Sequence, residues 1–227
     1  MNRYALLVVV AAFFSSVVFG QQKTTVAVLY FDNNSLMQKE AYEPLRKGLC
    51  DMLITDLSKV SALSVIEREK LDKLMAEIAL GQTGVVDEST APQVGKQLGA
   101  QVLVLGGYIR DAGKKIRIDA RFVRVETGEV LKAEEITGNA DQIFLLVRKL
   151  CYKITDQLGA NLSDAEKKDI ESGGKFSTDA LCAYAQGLAS LDAKDTVTAR
   201  ASFAKAVSQS PGFAKARAMI DALKEKP

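Results

Sequence analysis

The sequence has no histidine and no tryptophan in its 227 residues. Without histidine, Ser-His-Asp and Cys-His nucleophile activation are excluded, and the commonest metal ligand is missing. Cysteine is scarce. Cys50, Cys151 and Cys182 stand far apart and form no CxxC pair, so a zinc site is not expected. Net charge is small, +2 from 30 basic and 28 acidic residues. That balance argues against a general nucleic-acid binder, which carries a basic excess. No segment pairs a base with a nucleophile. The expectation is therefore a chain with no catalytic residues, no metal and no cofactor.

What is present begins at the N-terminus. Arg3 precedes an apolar run from Tyr4 to Phe19, and Val18 and Gly20 fit the small positions of a signal-peptidase site. Residues 1–20 read as a cleaved secretory signal; an uncleaved anchor is the alternative. No cysteine follows the run, so a lipoprotein signal is not expected. Loss of residues 1–20 removes Arg3 and leaves 29 basic residues against 28 acidic ones. No other segment approaches roughly 18 continuous apolar residues, so no membrane-spanning segment is expected after cleavage. Hydrophobic residues make up 48% of the chain, enough for a packed core.

Periodicity then lays out the elements. Thr24–Phe31 is β-branched and almost wholly apolar, a buried central strand. Helical spacing runs from Glu40 to Val60, and a second short strand spans Ala62–Glu67. A second helix, REKLDKLMAEIAL, carries Leu71, Leu74, Met75 and Ile78 on one face. A short helix follows Thr90, which stands three residues before Gln93 at a capping-box spacing; Pro92 fits its first turn and Gly99 ends it. AQVLVLGGYIRD and the alternating IRIDARF are strands joined by AGKK, and ETGE turns into VLKAEEI. A last long helix spans Asp141–Leu158. The order β-α-β-α-α-β-β-β-α predicts an α/β fold with a mixed sheet of about five strands and packed helices. A small all-α hairpin follows it. The expected divisions are a signal at 1–20, an α/β domain at 21–160, a polar linker at 161–177 and a helical segment at 178–227.

Four patterns need weighing. GQTGVVDEST (residues 81–90) has the glycines of a phosphate loop, but it follows a helix and lacks a GK[ST] ending. It reads as a helix–helix connector, with Gly81 stopping the first helix and Thr90 capping the next. Asp32 lies after the first strand, where ligands often sit in α/β folds, yet an Asx-turn that ends the strand is the simpler role. Glu67, Arg68 and Glu69 read as a strand-to-helix junction. Asn-Asn-Ser and Asn-Leu-Ser are glycosylation sequons by pattern alone.

In the C-terminal segment Gly187, Ala199, Phe203, Ala206 and Pro211 fall at the small, aromatic and proline positions of one tetratricopeptide repeat. Pro211 is expected to start the helix that follows. Ala183 and Ser190 are small where the repeat is usually large, so an ordinary Ala-rich helical hairpin is the alternative. One repeat cannot bury its faces alone. It must pack on the main domain, on a second copy or on a partner. Cys50 and Cys151 both lie on helix stripes; buried free thiols are the simple reading, and a disulfide between them is a candidate if the helices share a face of the sheet.

VAVLYFDNNS, then LCDMLITDLSKVSALSVIEREKLDKLMAEIALGQTGVVDESTAPQVGKQLGAQVLVLGGYI, then RFVRVETGEVL together resemble the CsgG/HfaB family of bacterial envelope proteins. The resemblance covers roughly Thr24 to Leu158. Related folds are the TolB amino-terminal domain, the flagellar FlgO proteins and the LpoB activator of peptidoglycan synthases. It implies a non-enzymatic, periplasmic α/β domain at the outer membrane that assembles with copies of itself or with envelope proteins. The leading expectation is an assembly or scaffolding component of a CsgG-type secretion system. An LpoB-like synthase activator and a FlgO-like flagellar accessory are the alternatives. The curli secretion channel of the family is a lipoprotein with membrane-spanning hairpins. AGKK and ETGE are too short for spanning strands of about 9–11 residues, so the expectation is the soluble domain rather than a pore.

Overall fold

The computed structural model describes residues 23–81, 89–111 and 113–224. The expected signal at 1–20 lies outside them, as does most of the 81–90 connector.

The first apolar run gives β1 (Thr24–Val28) and, after a three-residue break, the two-residue β2 (Asp32–Asn33). Both pair in parallel with β4 (Val102–Arg110). β3 (Leu63–Val65) pairs in parallel with the other side of β1. β5 (Lys115–Arg124) and β6 (Val130–Asn139) add antiparallel hairpins. The main order is β3-β1-β4-β5-β6, with β2 beside β4, a six-stranded mixed sheet. Short loops between β4, β5 and β6 permit only antiparallel neighbours, whereas the early strands are joined through helices and run parallel.

Eight or more residues of helical pattern produced most of the expected helices, with two changes. The Glu40–Val60 run is split into α1 (Lys39–Tyr42) and α2 (Leu45–Leu57), because Pro44, the N-cap of α2, has no N–H to continue the ladder. α3 spans Arg68–Gly81, and the residues that follow lie outside those described. α4 (Ala91–Leu98) starts after Thr90 with Pro92 in its first turn. The Thr90 side chain makes no capping hydrogen bond, and its helical φ/ψ explains why: an N-cap side chain reaches N2 or N3 from an extended backbone. Gly99 ends α4 at φ 71°, as expected. α5 (Ile143–Gln157) follows a 3-10 turn at Ala140–Gln142.

Alternation assigns the two faces of the sheet. Val104, Tyr108, Ile118, Phe122 and Ile136 face the buried side, which α2 and α5 cover. α4 lies on the other side, where a Cβ on Gly95 would meet Val125 and Leu103.

The segment expected as a linker holds α6 (Asp164–Glu171), with Ile170 fully buried. Ser163 and Glu166 form a capping box at its start. Glu166 also ties the helix to the sheet. Its carboxylate accepts the Ser61 N–H at 2.7 Å and the Ser163 O–H at 2.7 Å and N–H at 2.8 Å. The Ser61 and Ser163 donors hold its carboxyl down to about 2, against an ordinary 4.5. A lowered folded-state pKa stabilises fully above pH 4.5 and the contribution is lost as pH falls through about 2. Hydrogen exchange of the α6 amides should therefore speed up as pH is lowered through that window, after correction for intrinsic rates. Glu166→Gln should flatten the response; an unchanged pH profile in that variant would refute the assignment.

Candidate functional site

Three helices complete the chain: α7 (Thr178–Asp192), α8 (Thr196–Gln209) and α9 (Ala214–Lys224). Their junction with the α/β sheet is the most highly organised polar site. Arg68, the first residue of α3, is only 7% exposed in its side chain. It pairs with Asp72 one turn on at 2.6 Å, with Asp192 of α7 at 3.0 Å and with Asp51 of α2 at 3.5 Å. Asp51 in turn accepts the Tyr184 O–H at 2.9 Å and a Lys215 N–H at 2.7 Å. Lys47 completes the group by pairing with Asp192, and the Tyr30 hydroxyl donates to Asp72. Burial alone would lower the Arg68 pKa; Asp192, Asp72 and Asp51 outweigh it and hold it above the ordinary value. Burial, reinforced by the Asp51 charge, pushes the Tyr184 phenol up, so it stays a donor. Three carboxylates face three cations, and every member comes from α2, α3, α7 or α9, apart from Tyr30.

Of the residues singled out in the helical segment, Gly187, Ala199, Phe203 and Ala206 lie in the α7–α8 hairpin and Pro211 after it. α7 and α8 are antiparallel neighbours, and Ala199, Phe203 and Ala206 are fully buried on α8. Gly187 of α7 lies under the Phe203 ring, where a Cβ would stand 2.5 Å from it. Tyr184 lies 5.4 Å from Phe203 and 5.1 Å from Phe213, and Phe213 stacks on Phe176 at 4.4 Å. Pro211 does not start α9. It stands exposed in the turn before it, and the helix begins at Ala214 because Phe213 is drawn into the aromatic cluster. The hairpin packs on the main domain: a Cβ on Gly48 of α2 would come within 3.0 Å of Leu181 and 3.3 Å of Ala185.

On the opposite side of the sheet, an open cleft of about 910 Å³ lies over β4, β5 and β6. Asp32 lines it and pairs with Arg46 at 3.3 Å, and Arg46 also reaches Glu43 at 3.1 Å. Arg117 pairs with Asp119 at 2.8 Å and Glu135 at 3.1 Å. Each of these carboxylates is paired with a guanidinium. The Asx-turn after β1 belongs to Asn33, not Asp32: the Asn33 side-chain oxygen accepts the Ser35 N–H at 3.1 Å. Asp32 itself is a strand residue facing the cleft. Among the described residues no group of three or more acidic or cysteine side chains is placed to hold a metal ion. No helix among them is long and apolar enough to cross a membrane.

The three cysteines are free and buried. Cys50 donates its S–H to the Val28 carbonyl at 3.2 Å, toward the sheet. Burial pushes the Cys50 and Cys151 thiols well up and Cys182 to about 12.

The polar junction was not read from the sequence. Asp51 stands between Cys50 and Met52 in a largely buried helix, and the two acids set in that apolar stripe, Asp51 and Asp56, are the available signal.

The sequence profile of the family described as "Curli production assembly/transport component CsgG" matches residues 15–110. A Rhizobium meliloti (strain 1021) protein named "Putative adenylate cyclase 3" is 30% identical over 193 residues, 84% of this chain and 31% of that protein. The chain thus spans about a third of that relative's length. Among solved structures, the LpoB C-terminal domain from Salmonella enterica is 19% identical over 52% of this chain and 84% of that one, with a TM-score of 0.37. The PelC dodecamer from Paraburkholderia phytofirmans is 10% identical over 63% and 91% of the respective chains, with a TM-score of 0.40.

Two outcomes test this site. Arg68→Met leaves Asp51 and Asp192 short of a buried counter-charge, and urea unfolding should show a loss of about 3–5 kcal/mol. A loss below about 1 kcal/mol would mean that the junction is screened like a surface pair. The buried thiols should resist alkylation at neutral pH until the chain unfolds. A native mass lower by two hydrogens, with a non-reduced proteolytic fragment joining Cys50 to Cys151, would instead reveal that bridge.

Proposed function

We propose that this chain is a non-enzymatic, periplasm-facing envelope protein that works by binding other proteins, as an assembly or scaffolding component of a CsgG-type outer-membrane system. The observation that carries the reading is the family match across residues 15–110, the stretch that supplies β1 to β4. The apolar run after Arg3 supports export, and the paired carboxylates of the cleft support binding over catalysis.

The α7–α8 hairpin is read as one tetratricopeptide-like unit, supported by Gly187 seated under Phe203. The match to the Rhizobium meliloti protein is longer than residues 1–177, so it reaches into the helical segment. What the two proteins share is then the α/β sheet together with helices, and this shared part is taken as a protein-binding module in both.

Fractionation and N-terminal sequencing of the protein from its native cell test the reading. The mature chain is expected in the periplasm, beginning at Gln21, and cross-linked to an envelope protein. Retention in the cytoplasm, or conversion of ATP to cyclic AMP by the purified chain, would overturn it. Equilibrium dialysis with ATP is expected to show no binding.

A further inference from the structure

We propose that the end of the sheet formed by the Asn34–Gln38 loop, Tyr42 and Arg110 docks an acidic, apolar segment of a partner protein. The inference rests on reading the chain as a protein-binding module, not on its compartment.

Arg110 is the last residue of β4. Its backbone N–H donates to the Ser35 hydroxyl at 3.0 Å, and Ser35 is held from the other side by Asn33. The loop that follows β2 is thereby pinned, with Ser35 buried and its neighbours Leu36 and Met37 turned out, 96% and 60% exposed. Ile109, 40% exposed, lies at the same end of β4 but on its other face. Exposed apolar residues held on a fixed backbone, rather than scattered singly, mark an interaction surface.

The Arg110 guanidinium lies 4.7 Å from the centre of the Tyr42 ring. The ring's backbone is fixed in turn by the buried Tyr108, whose O–H donates to the Tyr42 carbonyl at 2.7 Å. Yet, among the described residues, Nε and Nη1 of Arg110 are buried with no hydrogen-bond partner. Arg46, Arg68, Arg117 and Arg148, by contrast, all donate to carboxylates or carbonyls. A ring face offsets part of the desolvation of a cation, but it does not satisfy in-plane N–H groups. What is missing is an anionic acceptor, and Leu36 and Met37, on the loop that Ser35 ties to Arg110, require that it arrive on an apolar surface. A carboxylate flanked by large apolar side chains meets both conditions. On docking, the guanidinium turns from the Tyr42 ring to the carboxylate while its stem stays packed. Directional donors set beneath a ring favour a shaped protein surface over a bilayer, whose headgroups present acceptors at no fixed position.

The full chain is to be panned against a displayed library of random dodecapeptides, and the enriched peptides measured by fluorescence polarisation. Enrichment of Asp or Glu beside large apolar residues is expected. Arg110→Met should weaken those peptides at least about tenfold, as removal of an arginine hot spot does. The surface variant Leu36→Ser/Met37→Ser should weaken them as well, which keeps the test open if Arg110→Met fails to fold. Peptides without an acidic residue, or binding indifferent to Arg110, would overturn the proposal. So would flotation with phosphatidylethanolamine–phosphatidylglycerol vesicles that depends on Leu36 and Met37, or self-association that the same variant abolishes. Because the panning uses purified protein, its failure is separate from a failure of the periplasmic fractionation.

Discussion

The structure turns on a buried cation, Arg68. An arginine cannot shed its charge, so a guanidinium that is 7% exposed must be met by acids wherever it is placed. Here the acids come from three helices: Asp72 from its own, Asp51 from α2 and Asp192 from the end of α7. Each of those acids is then committed too, Asp51 to Tyr184 and Lys215, Asp192 to Lys47. A buried ionic group of this kind is weak evidence for extra stability, since apolar residues could fill the same space. Its effect is on placement. Sliding α7 along α2 by one residue would strand Asp192 and Tyr184 from their partners, so the network permits one docking geometry.

That placement decides which surfaces are available. α7 lies against α2 through Leu181 and Ala185, and the aromatic cluster of Tyr184, Phe203, Phe213 and Phe176 fills the space between helices and sheet. One face of the hairpin is thus consumed within the molecule. The exposed ground is elsewhere, on the cleft side of the sheet and at the pinned loop beside β2. These lie at strand ends and on the face that α4 covers only in part, where the backbone is fixed by the sheet.

Much of the architecture was legible because it follows from periodicity. IRIDARF alternates and gives β5 with Ile116, Ile118 and Phe122 buried and Arg117, Asp119 and Arg121 on the other face. Gly99 stops α4 because only a residue without a Cβ takes φ 71° cheaply. The errors share a different cause. α6 was hidden in a polar stretch because its single buried anchor, Ile170, gives no period. Pro44 broke a helix whose apolar spacing continued across it, and Pro211 fell in a turn because Phe213 needed a place in the aromatic cluster. Asn33 took the turn assigned to Asp32, since Asp32 was drawn to Arg46. The junction was illegible for a simple reason: Arg68 and Asp192 are 124 positions apart, and nothing local to either residue names the other. Arg110 was missed likewise, because an unsatisfied donor is a property of the folded surroundings.

The family match ends at residue 110, and the packing shows that this stretch is not self-sufficient. β4 is its last strand, and the buried side of β4 faces no neighbour on one edge until β5 and β6 arrive. More tellingly, Asp51 and Arg68 both lie within the matched stretch, while Tyr184, Asp192 and Lys215 lie beyond it. Without the helical segment Arg68 would keep Asp51 and Asp72, but Asp51 would lose its hydroxyl and ammonium donors, and α2 would expose Gly48 and its apolar neighbours to water. An exposed surface of that kind is destabilising and prone to association. The helices after residue 177 thus cover α2 and supply donors to Asp51, completing the packing of this α/β sheet.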